Sequence, residues 1–126
     1  MLETATHWQL DVDRGPDWVF VRIMPPNAGV NPDADGLAEM IWDVLRSNFC
    51  YRLVLEMDRV ELLYSSLIGQ LILLGKRVHS HEGVLRISGL SASNQHVVEM
   101  CRLEAALPCY PNRNDAVMGH LPNHPR

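Results

Sequence analysis

The chain opens on alternation. In "HWQLDVDR" the apolar residues Trp8, Leu10 and Val12 are separated by polar ones, the period of two expected of a half-buried strand. "GPD" at 15–17 is turn chemistry. "WVFVRIM" comes next, rich in β-branched and aromatic residues, and suits a second strand. The two are expected to pair as an antiparallel hairpin, with residues 1–7 as a loose lead-in. "PPNAGVNPDADG" at 25–36 is a loop punctuated by proline and glycine, with Asp33 or Asp35 placed to cap the next helix. Leu37, Met40, Ile41, Val44 and Leu45 then fall at i, i+3, i+4, i+7 and i+8, one apolar stripe at helical period.

Past this helix the pattern alternates between strands and helices. "RLVLEM" at 52–57 is a nearly continuous apolar run, as in a central strand covered on both faces. Residues 65 to about 81 fit a second helix, with Leu67, Leu71, Leu74 and Val78 on one face and Ile68 and Ile72 beside them. "VLRISGL" at 84–90 is another strand. "SASNQHVVEMCRLEAAL" at 91–107 reads as a third helix, capped by Ser91 or Ser93, with Val97, Met100, Cys101 and Leu107 inward and Pro108 ending it. "CYPNR" is a short extended segment, and "NDAVMGHLPNHPR" holds at most one helical turn before a tail. The order is β-β-α-β-α-β-α-β. It predicts an α/β fold: a mixed, mostly parallel sheet with a leading β-hairpin and helices packed mainly on one face. One domain over 8–117 is expected, with a flexible tail at 118–126.

Composition narrows the function. A chain of 126 residues, 47% apolar and 21% charged, suits one globular domain. A net charge of -4 without a lysine/arginine run argues against a non-specific nucleic-acid binder. No run approaches the length of a membrane-spanning helix, and "MLETATHWQLDVDRG" lacks the basic and apolar regions of a signal peptide. The expectation is a cytoplasmic protein with neither nucleic acid nor membrane as partner. Cys50, Cys101 and Cys109, irregularly spaced, fit free thiols in a reducing compartment.

The conspicuous chemistry is the serine pair in "ELLYSSLIGQLILLG", residues 61–75. Ser65 and Ser66 stand where the second helix begins, so they are candidates for caps, a modified switch or a nucleophile. "LYSSL" lacks the GxSxG frame of a nucleophile elbow, and no GxGxxG or GxxxxGK[ST] loop is present. His79 and His81 form HxH with only Glu82 near, a poor metal set, and prolines around His120 and His124 argue against their alignment on a helix. Cys50 reads as a packed thiol. Asp33 and Asp35 suit capping better than acid/base work, and Trp42, off the main stripe, suits the core edge. No cofactor or metal is expected.

The order of elements, with a serine pair opening the second helix, resembles the STAS domain of anti-sigma factor antagonists and their relatives. The resemblance runs from Trp8 to Val117 and is best from Arg52 to Leu107. Family members read as an apolar strand ending in an acidic residue, an apolar segment, Asp-Ser-Ser/Thr-Gly, then a helix. Here Glu56 falls on the acidic end, Ser65 on the phosphorylated serine and Ser66 on its neighbour. Gly83 falls on the glycine before the fourth strand, and "GLSAS" matches the start of the third helix. Tyr64 replaces the usual aspartate and Leu67 the usual glycine. The resemblance implies a non-enzymatic regulator that sequesters an anti-sigma factor, a serine kinase, and is switched by phosphorylation at Ser65, with Ser66 the lesser candidate. A phosphatase is an implied second partner, and a monomer or weak homodimer the implied state. The implied docking residues are Arg59, Glu61, Tyr64, Ser65, Ser66 and Gln70, flanked by the loop at 27–36. Two alternatives stand beside it: a phosphorylation-independent STAS scaffold in a larger assembly, and a small serine-dependent hydrolase or ligand-binding enzyme.

Overall fold

The computed structural model describes residues 2–3, 8–26 and 32–119. The strands are β1 (Leu2–Glu3), β2 (Gln9–Arg14), β3 (Val19–Met24), β4 (Arg52–Glu56), β5 (Val84–Ser88) and β6 (Cys109–Tyr110). The helices are α1 (Leu37–Ser47), α2 (Ser65–Ser80), α3 (Ala92–Met100) and α4 (Arg113–Met118). The sheet runs β1-β2-β3-β4-β5-β6 in chain order. β1 and β3 pair antiparallel with β2, and β3 through β6 run parallel. The two outermost strands are only two residues long: β1 pairs with Gln9 and Leu10 of β2, and β6 with Ile87 and Ser88 of β5.

Sequential parallel strands joined by crossovers of one hand place all their connecting helices on the same face. Accordingly Leu53 and Leu55 of β4, Leu85 and Ile87 of β5, and Val19, Val21 and Ile23 of β3 join buried residues of α1, α2 and α3 in one cluster. The alternate positions point the other way. There Phe20 and Val54 form a smaller cluster with Trp18, Tyr110 and Ala116 of α4. The expected α/β class, hairpin and one-sided helix layer all hold, and α4 adds a partial cover on the second face.

Several local expectations change. Leu2–Glu3, within the expected lead-in, pairs with Leu10 and Gln9. Val12 is exposed, so the buried end of β2 is Leu10 with Trp8 before it. Neither Asp33 nor Asp35 caps α1: its cap is Gly36 at φ 85, in the left-handed region that favours glycine, and Asp33 Oδ1 instead accepts from the Asp35 amide at 3.1 Å. The third helix stops at Met100 because the chain turns through Arg102 at φ 55. Met100 and Cys101 are therefore exposed, while Asn94 and Val98 are buried and Leu107 packs in from the loop beyond. Trp8, Trp18 and Trp42 are all buried, and Trp42 joins the main cluster. Gly83 is required by space: a Cβ there would lie 2.2 Å from the Tyr51 carbonyl oxygen. Among the described residues no helix is long and apolar enough to cross a membrane. The tail from residue 120, with His120 and His124, and residues 27–31 of the flanking loop lie outside the described residues.

Candidate docking site

The site is built where β4 hands over to α2. Glu56 ends β4, and residues 57–64 cross the end of the sheet before the helix begins at Ser65. Asn94, fully buried at the start of α3, holds this connection: its Nδ2 donates to the Val60 carbonyl at 3.0 Å and its Oδ1 accepts from the Leu63 amide at 2.9 Å. Asn94 is held in turn through its own amide, which donates to Ser91 Oγ, the cap of α3, at 3.1 Å. Sequence reasoning misses Asn94. The Ser91-x-x-Asn94 spacing carries only the cap signal, not the reach to a segment 31 residues away.

Neither serine caps α2. Tyr64 occupies the cap position in extended conformation and no side chain caps the helix, so Ser65 and Ser66 are its first two residues. The two then differ. Ser66 Oγ accepts from the Ala34 amide at 3.3 Å. Both serines are exposed, but the Ser65 hydroxyl has no hydrogen-bond partner among the described residues. The helix start leaves backbone N–H groups unsatisfied and carries partial positive charge, so Ser65 sits where added anionic charge is tolerated.

The other expected docking residues divide the same way. Tyr64 donates its hydroxyl to the Pro32 carbonyl, and Gln70 Oε1 accepts from the Ala38 amide at 2.9 Å. With Ser66 these residues stitch the start of α2 to the segment 32–38 before and within α1. Burial, then the charge of Asp33, raises the Tyr64 hydroxyl above its ordinary pKa, so it stays protonated and able to donate. Arg59 and Glu61 are exposed, without hydrogen bond or ion pair among the described residues, and Leu62 beside them is 47% exposed. Leu67 is fully buried in the main cluster, so the residue in place of glycine serves the core rather than the exposed loop.

Glu56 faces the opposite side of the sheet. Its carboxylate takes a two-point ion pair from Arg113 of α4, Nη2–Oε1 at 2.6 Å and Nε–Oε2 at 3.1 Å, with Arg22 Nη2 at 3.6 Å. Arg22 Nε also reaches Asp58, the second residue past β4, at 2.9 Å. Of the other candidates, His79 is exposed, and His81 packs edge-on against Trp42 with ring centroids 4.6 Å apart. Cys50 is buried, and burial with the charge of Glu104 pushes the Cys109 thiol up to about 11. Among the described residues no group of three His, Cys, Asp or Glu is placed to hold a metal ion.

Known structures share this arrangement of a mixed sheet with one helix layer. No protein-family model and no curated protein matches the chain. A putative anti-sigma factor antagonist from Thermotoga maritima superposes with a TM-score of 0.74 at 16% identity, covering 87% of this chain and 92% of that one. An anti-sigma-factor antagonist (STAS) domain protein from Planctomyces limnophilus gives 0.71 at 16% identity, over 87% and 96%. An anti-sigma factor antagonist from Mycobacterium paratuberculosis gives 0.68 at 18% identity, over 94% and 97%. The chain has the STAS-domain fold.

Proposed function

We propose that this chain is a regulatory binding protein of the anti-sigma factor antagonist kind. It captures an anti-sigma factor that is a serine kinase, and phosphate on Ser65 releases it. The observation that carries this reading is the contrast within the serine pair. Both are exposed, but Ser66 accepts a hydrogen bond from the Ala34 amide, while the Ser65 hydroxyl at the start of α2 has no partner among the described residues. A phosphoserine carries roughly -1.5 to -2 charge near neutral pH. On Ser65 it changes the docking face without disturbing the core, and a partner that buries the face meets like-charge repulsion and a desolvation cost. Exposed Arg59, Glu61 and Leu62 supply the rest of the contact.

Tyr64, Ser66 and Gln70 shape the face from behind through their hydrogen bonds to 32–38. The burial of Leu67 supports a working switch, since the departure from the family glycine is absorbed inside the core. The test is capture of the kinase partner by variants. Ser65→Asp is expected to bind at least about tenfold more weakly, about 1.4 kcal/mol, and Ser65→Ala to keep wild-type affinity. Incubation with the kinase and ATP is expected to add one phosphate, at Ser65 by mass spectrometry. Equal affinities and an unmodified Ser65 would leave a phosphorylation-independent scaffold as the better reading.

A further inference from the structure

Tyr64 stands where the resemblance places aspartate, directly before the first residue of α2. Its hydroxyl donates to the Pro32 carbonyl, Ser66 Oγ accepts from Ala34, and Gln70 Oε1 accepts from Ala38. Each pair is offset by 32 residues, so the first turns of α2 and the segment 32–38 run alongside each other, joined at three points. A fourth bond arrives from the sheet side, where Trp8 Nε1 donates to the Asp33 carbonyl at 2.7 Å. Between these anchors Asp33 and Asp35 are exposed, and neither carboxylate has a cationic partner among the described residues.

We propose that Tyr64 is a positioning residue that latches the segment 32–36 against the start of α2, so that the kinase meets Ser65 on a fixed face. The identity of the reader rests on the function proposed above; the latch itself does not. An aspartate at 64 is too short to span to Pro32 and has no proton to donate when ionised. The tyrosine ring supplies the reach, and its hydroxyl, kept protonated in this setting, supplies the donor. The three anchors have unequal roles. Ser66 and Gln70 accept from the amides of Ala34 and Ala38, whereas Tyr64 alone among them satisfies a carbonyl, at the far end of the segment.

The test uses Tyr64→Phe, which keeps the ring and removes the hydroxyl. In the free chain, amide hydrogen exchange at Ala34 and Asp35 is expected to speed up about fivefold, the loss of one ordinary hydrogen bond, while the amides of β4 keep wild-type protection. Unchanged exchange at both amides overturns the latch. In the kinase reaction the same variant is expected to raise KM for Ser65 phosphorylation about fivefold with kcat held. An unchanged KM overturns the latched segment as part of what the kinase reads. Ser65→Asp serves as the control in the exchange experiment and is expected to leave Ala34 protected. If Ser65 is never phosphorylated, the functional reading fails while the exchange result still decides the latch.

Discussion

The two faces of the sheet are built by different physics. On the face under α1, α2 and α3, the packing is a continuous apolar cluster in which Leu53, Leu55, Leu71 and Leu74 are at most a few per cent exposed. On the face under α4, five buried residues form a small patch, and charge does much of the holding. Arg113 ties the start of α4 to Glu56 and Asp13 and lies 4.1 Å from the Phe20 ring centre. Arg86 closes its other end, donating to the carbonyls of Ala116 at 2.7 Å and Val117 at 3.3 Å while stacking on Trp18 and Tyr110. A six-residue helix has little intrinsic stability. Arginines with long apolar stems can cover aromatic surface and satisfy carbonyls at once. The side chains proposed to dock a partner lie at and just before the start of α2, while the ion pairs run from α4 through Glu56 and Arg22 to Asp58, the second residue past β4.

The contrast is open to direct attack, and the largest effect is expected in the apolar layer. Leu55→Ala, which empties space under the helices, should cost about 2–5 kcal/mol in urea unfolding. Its neighbour Val54→Ala, on the α4 face, should cost nearer ~1.6 kcal/mol from about two lost carbon groups. Equal losses would mean that the second face is packed as tightly as the first. Glu56→Ala comes next. It leaves Arg113 and Arg22 without their shared carboxylate. Both arginines are about a third exposed and can rehydrate, so a cost of about 1–3 kcal/mol is expected, below that of a fully buried pair. The same variant should speed hydrogen exchange in α4 more than in α2; equal acceleration would separate α4 from Glu56.

The smallest effect is acid sensitivity at the rim of the α4 face. The hydrogen bond from Arg113, then that from the Arg14 amide, holds the Asp13 carboxyl below its ordinary 3.8. A depressed folded-state pKa contributes stability above the unfolded value and loses it as pH falls through the folded one. Wild type should therefore lose a small increment as pH drops below 3.8, and Asp13→Asn should lack that increment. An identical pH profile for the two chains would remove Asp13 from the account.

Much of this architecture is legible in the sequence, and the reason is local periodicity. The stripe at Leu37, Ile41, Val44 and Leu45, the alternation that aims Leu53 and Leu55 one way, and the run Leu67, Leu71, Leu74 and Val78 each report burial within one element. The start of α2 at Ser65 is legible in the same way. The departures share a cause. Capping by Asp33 or Asp35, a helix continuing to Leu107 and inward-facing Met100 and Cys101 all rest on spacing, and each is overruled by where the backbone turns, at Gly36 and Arg102. Asn94 and Arg113 carry no periodic signal because a polar residue announces its partner only when the partner is near in sequence, and theirs lie 31 and 57 residues away.

The amino-acid order alone therefore determined the succession of strands and helices, the apolar layer and the position of the serine pair, because those depend on which residues can share a face of one element. Only the tertiary structure decided which serine is free. Ser65 and Ser66 are equivalent in composition and adjacent in sequence. They differ because folding brings Ala34 to Ser66 and Pro32 to Tyr64, each across 32 residues of chain, and leaves the Ser65 hydroxyl without a hydrogen-bond partner among the described residues.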